Sequence, residues 1–497
     1  MTKKNYYLGL DNGTTGTTAL LLDENWKQVG RGYKELTQIF PANGWVEQDA
    51  EEIWDSILYA VSVACETAGI LPEQITCLGL DNVGETVVLW DKFTGKPVYN
   101  AIVWQDRRTA RYCDELKEKY GDFVRERTGV MIDSYFSATK IRWILDNVEG
   151  VREKASQGRI LASTLDGWFF WKMTHGSLFV TDPSTASRTL LMNLHTGKWD
   201  DDLLDLFGVS KSMLPEIHDS SELYGYTDPL EFLGARIPIA GGIVDQQSSL
   251  FGHACFDTGM TKCTYGTGCF MLMNTGDQPV MSSHGILPTA AWRLNGKMSY
   301  ALDGGVYVAG AATQWLRDKL GIITTAAETE QMAIDAGNNG GVYFVPAFSG
   351  LAAPHWDSYA RGCIVGITGG TDKNHIVRAT LEATAYQVRD ILDAMNEDSG
   401  IRVPRMRVDG GAVVNKFLMQ FQSDSLGIPI DIPVIAETTA LGAAYLAAIG
   451  TGNATLEDIS AKWKLARTYE PSMGDDQRGE LMYKWHKAVE RAKSWAE

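Results

Sequence analysis

Four short segments carry residue types that could do chemistry. The first is the turn Asp11-Asn12-Gly13-Thr14-Thr15-Gly16-Thr17-Thr18, which follows an apolar run. Glycines let backbone amides approach an anion closely, and threonine hydroxyls add donors. Asp11, at the strand end, is the oxygen ligand that a Mg²⁺–nucleotide complex needs. A ligand-free hairpin explains the same residues. The second segment, Tyr265-Gly266-Thr267-Gly268, has a similar build. Two such hairpins could grip a triphosphate from both sides. Neither matches the P-loop or the dinucleotide fingerprint, so those two enzyme classes are unsupported. The third segment is Asp245-Gln246-Gln247, after the apolar run 237–244. A carboxylate there could take the proton of a substrate hydroxyl during phosphoryl transfer. It could equally cap a helix. The fourth is Gly410-Gly411 with Asn415 beyond it. Paired glycines admit a flat ring to the backbone, or simply make a turn.

The elements that must position these groups alternate between strand and helix. Strands are expected at 6–10, 19–22, 75–80, 87–90 and 101–104. A helix is expected over 51–67 with Asp49 as its N-cap, and another from Gln105 onward. The stretch 133–238 reads as an elaboration of the same unit. A second α/β pattern opens with the strand–turn–strand 260–273. It continues with helices at 375–395, 415–426 and 439–449, and an exposed charged helix at 476–496. This predicts an α/β chain of two related halves, each offering a Gly/Thr hairpin to one cleft, divided into residues 1–248 and 249–497.

The 497 residues carry 45 Lys+Arg against 62 Asp+Glu, a net charge of −17. That balance argues against sequence-independent binding to nucleic acid or anionic membranes. No apolar run is long enough to span a bilayer, and the N-terminus lacks the pattern of a signal peptide, so a cytoplasmic protein is expected. The seven cysteines form no C-x-x-C pair and the eight histidines no H-x-x-x-H spacing. Any metal should therefore be a hard cation on oxygen ligands.

Seven longer stretches together resemble the FGGY carbohydrate kinases, and within them the glycerol kinases. They are LDNGTTGT (10–17), GETVVLWDKFTGKPVYNAIVWQDRRTA (84–110), YFSATKIRWILDN (135–147), VTDPSTASRTLLMNLHTGKWDD (180–201), DQQSSLFGHACFDTGMTKCTYGTGCFMLMNTG (245–276), GCIVGITGGTDKNHIVRATLEA (362–383) and VDGGAVVNKFLMQFQSD (408–424). The resemblance implies two actin-like, ribonuclease H-like domains with an ATP cleft between them, usually assembled as a homodimer or homotetramer. It implies ATP and Mg²⁺ as cofactors and phosphorylation of a small polyol. Thr14, Thr15, Gly16, Thr267 and Gly268 would hold phosphates, with Gly310 and Gln314 nearby. Gly411 and Asn415 would contact adenosine. Asp11 and Asp245 would face Mg²⁺, and Asp245 would be the general base. Gly84, Glu85, Trp104, Tyr135, Gln246 and Phe270 would join Asp245 around the polyol.

Two positions depart from the resemblance. Gly84 stands where glycerol kinases usually carry an arginine, and Thr18 where bacterial ones often do. Losing a guanidinium at residue 84 would remove a hydroxyl-reading group and open space. Two substrates are therefore open from the sequence: glycerol, or a larger polyol or sugar such as erythritol, threitol, xylitol, ribitol or a ketose.

Overall fold

The computed structural model describes residues 4–496. In the first half, β1 (Tyr6–Asn12) turns back into β2 (Gly16–Asp23), which pairs with β3 (Gln28–Glu35). Helix α1 (Ala50–Ala68) covers this meander, and the Asp49 carboxylate caps it by accepting from the amides of Glu51 and Glu52. On the other side of β1 come β4 (Cys77–Asn82) and β5 (Pro238–Val244), both parallel to it. These strands are buried on both faces, which is why they read as continuous apolar runs.

Between β4 and β5 lie α2 (Ala110–Thr128) and α3 (Ser137–Asn147). The expected helix start at Gln105 is wrong by five residues. Residues 103–109 instead form a turn around a buried ion pair. Asp106 accepts from the Val46 amide at 2.6 Å, and Arg108 binds Asp106 at 2.8 Å and Glu47 at 2.7 Å. The expected strand at 101–104 shrinks to Ala101–Ile102 for the same reason.

Helix α4 (Asp245–Gly252) leads out of β5 into the second half. There β6 (Thr261–Tyr265) turns into β7 (Cys269–Gly276), and β8 (Leu287–Leu294) and β9 (Lys297–Val306) extend the sheet beyond β7. Helices α5 (Gly310–Asp318) and α6 (Lys373–Ser399) precede β10 (Met406–Asp409), which runs parallel to β6. Helix α7 (Lys416–Leu426), β11 (Ile430–Pro433), α8 (Thr438–Gly450), β12 (Leu465–Tyr469) and α9 (Asp475–Ala492) complete it.

The two sheets share one topology. Sheet one contains β3-β2-β1-β4-β5, and sheet two contains β9-β7-β6-β10-β11. Each has an antiparallel hairpin whose first strand is followed by two parallel partners. In such sheets ligands gather beyond the carboxyl ends of the parallel strands, and that is where Asp11, Asp245 and Asp409 sit.

The halves are also stitched together. Helix α8 leaves sheet two and packs flat on sheet one. A Cβ on Gly9 would lie 1.9 Å from the Ala440 carbonyl oxygen, and one on Gly79 would lie 1.9 Å from that of Ala443. Only glycine allows that approach. The C-terminal helix is not simply exposed, as the sequence suggested. Its charged residues occupy one face, while Trp485, Ala488 and Val489 are buried, with Trp485 stacked on Tyr386 at 5.4 Å. No described helix is long and apolar enough to cross a membrane.

Candidate active site

The strand ends bring three carboxylates together. Asp11 on β1 is in register with Asp81 on β4, and Asp245 follows the last residue of β5, whose Val244 pairs with Asn82. Burial and the negative charge of Asp245 push Asp11 up to about 7. Burial, Asp11 and Asp245 hold Asp81 well above the ordinary carboxylate range. Burial raises Asp245, while the Gln246 amide and Lys262 oppose it. Both Asp81 oxygens are buried without a hydrogen-bond partner. Among the described residues no three such groups form a ready-made metal cage, so these carboxylates suit Mg²⁺, which is held by one or two carboxylates and otherwise by water and phosphate oxygens. Sequence reading missed Asp81, yet a signal was present: Leu-Gly-Leu-Asp-Asn occurs at 8–12 and again at 78–82.

Asp245 is the first residue of α4 and not its cap, and its carboxylate accepts from the Gln246 amide at 2.6 Å. The Gln246 side-chain oxygen accepts from Lys262 Nζ at 2.6 Å, and Lys262 also donates to Thr264 at 3.0 Å. A fully buried lysine from sheet two thus orients a polar group at the start of α4.

Glu85 is 3% exposed and sits at φ +61°. A non-glycine residue held there costs on the order of 1–3 kcal/mol. Lys140 Nζ donates to the carbonyls of Glu85, Tyr135 and Phe136. One charged hydrogen bond contributes about 1.5–3 kcal/mol, enough to hold the strained backbone. Lys140 therefore sets Glu85 and Tyr135 against each other. Desolvation depresses Lys140 to about 8. The Glu85 carboxylate accepts from Arg188 Nε at 2.6 Å, and Tyr135 Oη lies 3.3 Å from Arg188 Nη2.

The Trp104 and Tyr135 rings meet edge to face at 5.7 Å. Trp104 Nε1 donates to Thr14 Oγ1 at 2.9 Å, leaving the ring itself for apolar contact. Phe270 lies on β7 opposite Gly305, where an added Cβ would meet the ring at 3.2 Å. Gly84 does not open the space the sequence suggested. A Cβ there would lie 2.8 Å from Val244 Cγ2 and 3.6 Å from Arg188 Cγ.

A cavity of about 630 Å³ opens on sheet two. Thr267, Gly310, Gln314, Gly411 and Asn415 all line it, together with Arg317, Glu330 and Lys416, which sequence reading did not single out. The 265–268 hairpin is fastened to α5: the amides of Gly310 and Ala311 donate to the carbonyls of Gly266 and Thr267 at 3.1 and 3.0 Å. Gly268 lies in the same turn but not on the cavity wall. The Asn415 side chain is already engaged, accepting from the Leu418 amide at 2.9 Å and donating to Thr329 at 3.1 Å.

Thr14, Thr15 and Gly16 do not line that cavity; they form the β1–β2 turn, closed by the Gly13 amide on the Gly16 carbonyl at 3.0 Å. Thr18 lies within β2, buried opposite Asp11. The arrangement therefore has a cavity for a nucleotide-sized ligand, an acidic centre, and a buried cluster of Glu85, Tyr135 and Arg188.

Comparison with known proteins fits these parts. Residues 6–252 match the N-terminal domain model, and 261–451 the C-terminal domain model, of the FGGY family of carbohydrate kinases. The chain is 56% identical to glycerol kinase 2 of Thermotoga maritima over 492 residues, covering 99% of both chains. It is 54% identical to a glycerol kinase of Bacillus cytotoxicus over 492 residues, again 99% of both. Among solved structures, Plasmodium falciparum glycerol kinase with ADP superposes with a TM-score of 0.92 at 36% identity, covering 98% of each chain.

Proposed function

This chain belongs to the FGGY family of carbohydrate kinases, and on that premise we propose that it transfers the γ-phosphoryl group of ATP to a primary hydroxyl of glycerol, giving glycerol 3-phosphate and ADP. One observation carries the reading. Asp245 projects from the end of β5 beside Asp11 and Asp81, and its charge is felt by the buried Glu85–Arg188 pair on the other side. The full-length likeness to glycerol kinases supports the choice of polyol.

Glu85, Tyr135 and Gln246 bind the polyol hydroxyls, and Trp104 and Phe270 cover its C–H face. Asp245 accepts the proton of the attacking hydroxyl as its oxygen bonds to the γ-phosphorus and the bond to the β-phosphate oxygen breaks. Asp11 and Asp245 would hold Mg²⁺, with Asp81 behind them; when bound, the metal neutralises charge on the phosphate oxygens. Thr14, Thr15 and Gly16 on one side, and Thr267 and Gly268 on the other, offer hydroxyls and amides to the phosphates. Gly310, Gln314, Gly411 and Asn415 bind the nucleoside. Closure of sheet two onto sheet one, with α8 staying on sheet one, excludes water and protects ATP from hydrolysis.

A larger polyol is disfavoured because Val244 and Arg188 occupy the space beside Gly84. The test is ADP release with Mg·ATP across glycerol, erythritol, threitol, xylitol, ribitol and dihydroxyacetone. Glycerol should show the highest kcat/KM. ADP release independent of polyol, or a longer polyol in first place, would overturn the reading.

A further inference from the structure

We propose that Arg188 is a specificity-determining residue of the polyol pocket: its guanidinium positions the Glu85 carboxylate, reads a substrate hydroxyl, and fixes the pocket's length. The inference rests on the polyol-kinase reading of the same site. Residue 84 carries no guanidinium, and Arg188 brings one to Glu85 from 103 positions away.

The Arg188 side chain is 4% exposed, as is that of Glu85, and Nε reaches Glu85 at 2.6 Å. Nη2 lies 3.3 Å from Asp303 on β9 and 3.3 Å from Tyr135 Oη. One cation therefore joins two pocket residues of the first half to a carboxylate of the second. Among the described residues Nη1 has no protein acceptor, which leaves two N–H donors for a ligand. A guanidinium buried in this way is matched to planar, multidentate recognition. Its aliphatic stem lies 3.6 Å from where a Cβ on Gly84 would stand, so it fills the space beside Glu85.

The segment that carries Arg188 is prepared for the task. Asp182 accepts from the amides of Ser184 and Thr185 and from the hydroxyls of Ser184 and Ser220. Ser184 Oγ accepts from the Val244 amide at 3.0 Å, tying the segment to the strand that delivers Asp245. The Arg188 amide donates to Thr185 at 3.0 Å, and the Thr189 carbonyl accepts from Ala138 at 2.9 Å. Such a supporting shell is what holds a reading group to a fixed geometry.

The experiment compares wild type with Arg188→Gln and Arg188→Lys, measuring kcat and KM for glycerol, for erythritol and for ATP. With Arg188→Gln, kcat/KM for glycerol should fall roughly 10- to 100-fold, the loss expected for a charged hydrogen bond. The glycerol-to-erythritol ratio should shrink about tenfold or more, and KM for ATP should stay within about threefold. Arg188→Lys should recover part of the rate but not the ratio, because an ammonium lacks the planar fork.

A second readout is the acidic limb of kcat/KM against pH. Glu85 faces Arg188, Lys140 and Asp245, and Tyr135 and Asp303 surround the same guanidinium. Losing the cation should move that limb to higher pH, since the carboxyl then ionises less readily.

An unchanged glycerol-to-erythritol ratio in both variants would overturn the proposal. So would an equal loss for glycerol, erythritol and ATP, which would mark a merely structural role. If Arg188→Gln does not fold, Arg188→Lys alone decides the ratio. A wild type that does not phosphorylate glycerol would refute the functional reading instead, and is seen before any variant is made.

Discussion

Asp11 and Asp81 lie side by side, in register, on adjacent parallel strands, each the fourth residue of the same pentapeptide. The identical strands place two carboxylates at one level, opposite Ile243 and two residues short of where β5 delivers Asp245. Burial holds Asp11 and Asp81 above the ordinary range, and the nearby charge of Asp245 adds to it.

This relationship makes Mg²⁺ binding pH-dependent. Asp11, raised to about 7, must lose its proton for the metal to bind. Affinity should therefore climb as pH rises through that value. The sign for stability is the reverse. The folded state holds the Asp11 proton more tightly than the unfolded one, so metal-free stability from this group falls as pH rises between about 4 and about 7. Thermal melting with and without Mg²⁺, from about pH 5 to about pH 8, checks both. Asp11→Asn should remove this group's contribution to the fall and most of the metal-induced rise in Tm. A Mg²⁺ shift that is the same at every pH would contradict the assignment.

The Trp104–Thr14 hydrogen bond ties the polyol pocket to the first phosphate hairpin. Trp104→Phe keeps an aromatic face but removes the donor. KM for ATP should rise about three- to tenfold, in line with one neutral hydrogen bond, and glycerol binding should weaken as well. Steady-state kinetics varying each substrate in turn would show it. An effect confined to glycerol would mean that the bond does not couple the two sites.

Gly310 is required by close approach. A Cβ there would lie 2.5 Å from the Gly266 carbonyl oxygen, so Gly310→Ala must push the 265–268 hairpin off α5. ADP affinity, read by calorimetry, should drop by at least about tenfold, while the glycerol-binding residues Glu85, Tyr135 and Asp245 of the first half stay in place. Unchanged ADP affinity would remove the hairpin from the nucleotide site.

The parts legible in sequence were those set by local chemistry. Gly/Thr turns, the Asp49 cap and the apolar run before Asp245 follow from neighbouring residue types, and the structure forms all three. The missed groups act over long range. Arg188 meets Glu85 across 103 positions, and Lys262 meets Gln246 from the other sheet. In sequence each is a lone cation that reads as surface. The false helix start at Gln105 has the same origin, because Asp106 and Arg108 are charges that turn inward toward Val46 and Glu47. The last helix was misread because its charges mask the Trp485 face.

The most direct test of the central claim is phosphoryl transfer by Asp245→Asn. Wild type should give one glycerol 3-phosphate per ADP, read by phosphorus NMR. In the variant, kcat should fall by about 10²- to 10⁴-fold, the usual contribution of a general base, while glycerol affinity by calorimetry stays within about threefold. A variant that keeps kcat within about tenfold of wild type would contradict the role of Asp245 and the chemistry built on it.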